Sequence, residues 1–122
     1  MATIMIVDDS NYTRRTHRRI VEAAGHVVHE AATGMAAIEG YFIHRPDLVL
    51  LDLTMEDMGG LEVLEKLRAL DAGARVIVVS ADVQRSTTQL VAESGALRFL
   101  GKPVSSEGLL AAVHDELVQD AP

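Results

Sequence analysis

The chain has no cysteine and no tryptophan, and its aromatic complement is two Tyr and two Phe in 122 residues. Without cysteine there is neither a disulfide framework nor thiolate chemistry. With so few rings, a core must be packed from aliphatic side chains. Basic charge is also scarce: 11 Lys and Arg against 18 Asp and Glu give a formal charge of −7. That sign argues against general affinity for nucleic acid or anionic lipid. No apolar run approaches the roughly 18 residues of a membrane span. The stretch MATIMIVDDS is too short and too soon acidic for a secretory signal. The expectation is a soluble cytoplasmic protein with no membrane and no direct nucleic-acid partner. No linker, repeat or low-complexity tract divides the chain, so one domain is expected over residues 1–122, with 119–122 as a frayed tail.

What is present is 48% hydrophobic residues, gathered in short runs at nearly regular intervals. Ile4 to Val7 predict a strand, and a helix follows with Ser10 as N-cap and Gly25 as its stop. HVVHEA predicts a second strand, and Gly34 to His44 a helix closed by RPD. Leu48 to Leu51 predict a third strand, and Gly59 to Leu70 a helix with Leu61, Leu64, Leu67 and Leu70 on one face. Val76 to Val79 and Leu97 to Leu100 predict the last two strands, with helices over 83–94 and 105–118. Five strands alternating with five helices predict an α/β fold, a doubly wound parallel sheet. Continuous apolar strands agree, because helices on both faces of a sheet bury both sides of each strand. Ligand sites in such sheets lie beyond the carboxyl ends of the strands.

Those ends carry a set of polar groups. Asp8 and Asp9 follow the first strand, Asp52 the third and Ser80 the fourth, and Gly101, Lys102 and Pro103 close the fifth. Each alone has a structural explanation, as a helix cap, a dipole partner or a solvated charge. One fold, however, places them all along one edge of the sheet. Converging carboxylates repel unless a cation compensates. Oxygen ligands without His or Cys suit a hard ion, Mg²⁺ first, with Mn²⁺ or Ca²⁺ as alternatives. A carboxylate, a divalent cation, an ammonium and a hydroxyl are the parts needed to form and hold an aspartyl-phosphate. Asp52 therefore reads as a nucleophile.

The chain resembles the response-regulator receiver domains of the CheY-like (flavodoxin-like) family over residues 3–119. The resemblance rests on VDDS at 7–10, LLDLTM at 50–55, VVSA at 78–81 and FLGKPV at 99–104. It implies that Asp52 accepts a phosphoryl group from a histidine kinase or phosphotransfer protein. It implies Mg²⁺ held by Asp8 and Asp9, the second directly, with Asp52 and the backbone carbonyl of Thr54. Lys102 and Ser80 would hold the phosphoryl group, Phe99 would rotate as Ser80 moves, and the Lys102–Pro103 bond would be cis. Phosphorylation adds about −1.5 to −2 charge units, and residues 83–118 are expected to repack and signal to a downstream protein. Enzymatic activity is expected to stop at self-phosphorylation and self-dephosphorylation.

Departures from the family pattern are local. Glu56 replaces the usual proline and Gly59 the usual Asp or Asn, which predicts a looser loop with Glu56 and Asp57 near the metal mouth. Glu56 reads as a solvated acid or, less simply, a tuner of the metal. Thr54 and Asp82 stand two residues beyond Asp52 and Ser80, where family members set phosphoryl lifetime. On the first helix Thr13, Thr16 and His17 share a face with Ile20 and Ala24. Arg14, Arg15, Arg18 and Arg19 form a stripe that is either a solvated face or a docking surface for an acidic partner. His26 and His29 are three apart on one strand and face opposite ways, while His44 and His114 lack a second ligand at metal spacing. A stand-alone receiver is expected. The alternatives are the receiver part of a longer regulator, or an Asp-nucleophile phosphohydrolase whose second Asp is replaced by Thr54. A nucleotide- or flavin-binding site fits poorly, since the DDSN turn has no glycine.

Overall fold

The computed structural model describes residues 1–55 and 57–119. Strands and helices alternate: β1 (Thr3–Val7), α1 (Asn11–Ala23), β2 (Val27–Ala31), α2 (Gly34–His44), β3 (Leu48–Leu51), α3 (Gly60–Leu70), β4 (Val76–Ser80), α4 (Arg85–Glu93), β5 (Arg98–Gly101) and α5 (Ser106–Gln119). The five strands form one parallel sheet in the order β2-β1-β3-β4-β5. The doubly wound α/β architecture is thus the one the apolar runs predict.

Period-two alternation divides the core. Ile4, Ile6, Leu48, Leu50, Ile77 and Val79 face Val21 of α1 and Leu109, Ala112 and Val113 of α5. Met5, Val7, Val49, Leu51, Val76 and Val78 face Ala37 and Tyr41 of α2, Val63, Leu64 and Leu67 of α3, and Val91 of α4. The two layers leave β1, β3 and β4 almost wholly buried, while the edge strand β5 stays only half-buried.

Local chemistry sets the helix starts. The Ser10 hydroxyl accepts from the Thr13 amide to begin α1, and the Thr33 hydroxyl accepts from Ala36 to begin α2. After α1 the chain turns at Gly25 with φ +95°, the left-handed region that favours glycine. α4 begins at Arg85, not Val83. The Asp82 carboxylate explains the delay, because it accepts from the Gln84 amide and the Thr87 hydroxyl and holds 82–84 outside the helix. β5 runs one residue later than its apolar run, ending on Gly101. Gln119 is the last residue of α5 rather than the first of a tail, and 120–122 lie outside the described residues. No described helix is long and apolar enough to cross a membrane.

Candidate functional site

The sheet register builds the site. Val7 pairs with Leu51, so Asp8 and Asp52 emerge side by side from the ends of β1 and β3. Ser80 pairs with Gly101, which puts Lys102 one residue beyond the end of β5. Its side chain leans across the ends of β4 and β3, with Nζ 2.8 Å from Asp8 Oδ2 and 3.3 Å from Asp52 Oδ1. The peptide bond from Lys102 to Pro103 is cis.

Asp8, Asp9 and Asp52 offer carboxylate oxygens that all lie within 4.8 Å of one another. Asp8 and Asp52 are 3% and 5% exposed, whereas Asp9 is open to solvent. Three carboxylates against one ammonium leave two negative charges uncompensated, and the donors are all oxygen. That chemistry fits a small divalent cation such as Mg²⁺. Asp8 has little freedom left for it. Its carboxylate accepts from Ser10 N (2.9 Å) and Lys102, its amide donates to Ala31 O (3.1 Å), and its carbonyl accepts from Arg14 (2.8 Å). Asp9 and Asp52 keep more open oxygens.

The electrostatics follow from burial and these neighbours. Burial pushes the Asp52 carboxyl up; Lys102 works against that, and the nearby Asp8 adds to it. Burial alone would pull the Lys102 ammonium down, yet the hydrogen bond to Asp8 and the charge of Asp52 outweigh it, so its pKa rises. Lys102 is therefore a fixed positive charge. Ser80 is 1% exposed, and its hydroxyl oxygen accepts from the Asp82 amide at 3.1 Å. Phe99 is half-buried on β5 against the core layer of α2, α3 and α4. Thr54 is exposed, and its backbone joins Lys102 in opposing the upward shift of the Asp52 carboxyl.

Two sequence expectations are corrected. The loop after Asp52 is tethered, not loose: both Asp57 oxygens accept from the start of α2, from Gly34 N at 2.9 Å and Met35 N at 3.1 Å. Glu56, read as a solvated acid or metal tuner, lies outside the described residues. The arginine stripe on α1 is divided. Arg14 and Arg18 turn to Glu30 on β2, and Arg14 also braces the Asp8 carbonyl, because β2 lies beside β1 at the sheet edge. Arg15 and Arg19 remain exposed and make no ion pair with another described residue. The buried face of α1 is His17 and Val21, while Ala24 is exposed at the helix end. Neither the Asp57 tether nor the Arg14 brace was visible in the pattern of single elements. The pair of arginines one helical turn apart, ahead of a lone acid on the next strand, is the signal that points to the second. The His44 ring stacks on His29 at 3.6 Å between centroids.

With this geometry in place, similarity to known proteins decides the family. The response regulator receiver domain model matches residues 4–114. The chain belongs to that family. The receiver is 38% identical over 115 residues to the chemotaxis protein CheY of Bacillus subtilis, covering 93% of this chain and 96% of that one. The crystal structure of a CheY-like receiver domain protein from Methanospirillum hungatei superposes with a TM-score of 0.93 at 28% identity, covering 98% of this chain and 95% of the other. CheY in the CheX-CheY-BeF3-Mg²⁺ complex from Borrelia burgdorferi gives a TM-score of 0.91 at 31% identity, covering 94% and 88%. The receiver is accordingly a signalling domain of the two-component type, and its acidic cluster has the composition of a metal site.

Proposed function

We propose that this receiver takes a phosphoryl group onto Asp52 from a histidine kinase or phosphotransfer protein and passes the change to a downstream protein partner. One observation carries the reading: a buried carboxylate at the end of β3 lies against a fixed ammonium and within 4.8 Å of two further acids. Lys102 meets Asp52 at Oδ1, and an oxygen of this carboxylate is the one that would attack phosphorus. Asp9, Asp52, the Thr54 carbonyl and, less directly, Asp8 would hold Mg²⁺, which would supply charge neutralisation for an approaching phosphoryl group. The Borrelia burgdorferi CheY, with its Mg²⁺ and its CheX partner, supports both parts of the reading.

The remaining residues hold and sense the group. Lys102 donates to phosphoryl oxygens in place of one carboxylate. Ser80 keeps a hydroxyl proton to donate while its oxygen continues to accept from Asp82. Phe99 fills space as Ser80 moves, and residues 83–118 carry the change outward. The test is incubation with Mg²⁺ and acetyl phosphate, followed by intact mass. One phosphoryl adduct is expected on the wild-type chain and none on Asp52→Asn. An adduct of equal yield on the variant would remove Asp52 from the role.

A further inference from the structure

Beside the acidic cluster lies a second concavity that the phosphoryl-accepting reading does not use. Tyr12, Thr13, Thr16 and His17 of α1, Ala81 after β4, and Lys102, Pro103 and Val104 after β5 enclose a cleft of about 380 Å³. That size is within the range of small-ligand sites. Its lining is mostly apolar, with Tyr12, Ala81, Pro103 and Val104 among the residues that form it. Lys102 belongs to both the cleft and the acidic cluster, so the two are neighbours across one side chain.

His17, 7% exposed, is among the residues that line this cleft, and no hydrogen bond or ion pair joins it to another described residue. Sequence patterning places a larger apolar side chain at such a core-facing helical position. Burial, and then the positive charge of Lys102, hold His17 below the usual imidazole pKa. The ring is therefore neutral near pH 7 and presents one N–H donor.

We propose that this cleft is a subsite for the leaving group of a small acyl phosphate, with His17 donating a hydrogen bond to the departing carboxylate. The inference rests on Asp52 being the phosphoryl acceptor. An Asp52 carboxylate oxygen forms the new bond to phosphorus, and the bond from phosphorus to the acyl oxygen breaks. The electron pair leaves with that oxygen, the organic product is a carboxylate, and no proton or oxidant is required. The apolar walls take the hydrocarbon body of the acyl group. His17 meets the charge that develops on its oxygen, an interaction stronger in the transition state than in the bound donor. Phosphoramidate, which has no hydrocarbon body and no carboxylate to release, gains nothing from the cleft.

The experiment compares benzoyl phosphate with phosphoramidate as donors to the wild-type chain, His17→Leu, His17→Gln and Thr16→Phe, with labelling of Asp52 read by intact mass. Circular dichroism melts establish that each variant is folded. The ratio of benzoyl phosphate to phosphoramidate labelling is expected to fall about tenfold in His17→Leu, near the upper end of what one hydrogen bond is worth. It should recover in His17→Gln, which retains a donor. Thr16→Phe fills the cleft while leaving the His17 imidazole in place and should lower the same ratio through a higher apparent KM for benzoyl phosphate. An unchanged ratio in both folded His17→Leu and folded Thr16→Phe overturns the subsite while leaving Asp52 as acceptor. Failure of both donors to label wild-type Asp52 overturns the acceptor reading and the subsite with it.

Discussion

A carboxylate at the end of a fully buried strand has to be held against its own desolvation. For Asp52 burial is the leading influence and raises its pKa; the Lys102 ammonium offsets part of that, and Asp8 restores some of it. A carboxyl whose pKa rises on folding holds its proton more tightly in the native state. Ionisation therefore favours the unfolded chain. The loss of stability begins as pH climbs past the ordinary value of 3.8 and is complete above the native pKa. Asp52→Asn removes that charge at similar volume. In metal-free buffer at pH 7 the variant should melt a few degrees higher than the wild-type chain, and the gap should close as the pH is lowered below about 3.8. Scanning calorimetry with a chelator reads this directly. A variant that melts lower at pH 7 would mean that the bond to Lys102, not desolvation, dominates at this position. Gly60 matters at the same scale, since a Cβ there would fall 2.5 Å from the Leu53 Cα and press on the backbone of Asp52.

Helices and loops show what periodicity could reveal and what it could not. The runs LVLL and VIVV announce buried strands because they are apolar on both faces, and Ser10 announces a helix start because its hydroxyl sits three residues before an amide it can accept from. Asp8, Asp9, Asp52, Ser80 and Lys102 were legible as a set because a parallel sheet gathers residues that follow its strands. Contacts between elements distant in sequence were not legible. Asp57 belongs to the loop after β3, yet its carboxylate takes two of the amide donors that α2 leaves open at its start. Those bonds, from Gly34 first and Met35 next, hold the Asp57 pKa below the usual carboxylate value. A carboxyl lowered on folding adds stability that is full above its unfolded pKa and is lost as pH falls through the native one. Asp57→Ala should therefore lower the melting temperature at neutral pH, with the difference fading in strongly acidic buffer. Amide exchange at Gly34 and Met35 should quicken by severalfold, while Ala36, capped by Thr33, changes little. Unaltered exchange at both amides would show that the tether does not persist in solution.

Across the whole molecule, rigidity is distributed unevenly, and the uneven half is the one that faces the proposed switch. β1, β3 and β4 are packed on both sides, whereas β5 is half-buried and α4 contributes a single buried residue, Val91. Ser80 joins these regions: its hydroxyl accepts from the Asp82 amide, and the Asp82 carboxylate in turn holds Gln84 and Thr87 at the head of α4. A phosphoryl group that draws Ser80 toward Asp52 pulls on that chain and so on α4. At the far end, Glu116 of α5 is 4% exposed and ion-paired to Arg75 at the foot of the sheet and to Arg98 on β5. The second half of α5 is thereby pinned while its first turn follows Lys102. Phosphorylation with acetyl phosphate and Mg²⁺ should therefore lower hydrogen-exchange protection over 81–101 by about tenfold, an opening made about 1.4 kcal/mol easier. α2 and α3 should be unaffected, and the Glu116 end of α5 should change least within 83–118. Mg²⁺ alone should produce little of this, because a ligand moves a two-state balance only by its difference in affinity for the two states. Equal changes across all five strands, or a full change on Mg²⁺ addition without phosphoryl donor, would show that the movement does not run from Ser80 through Asp82.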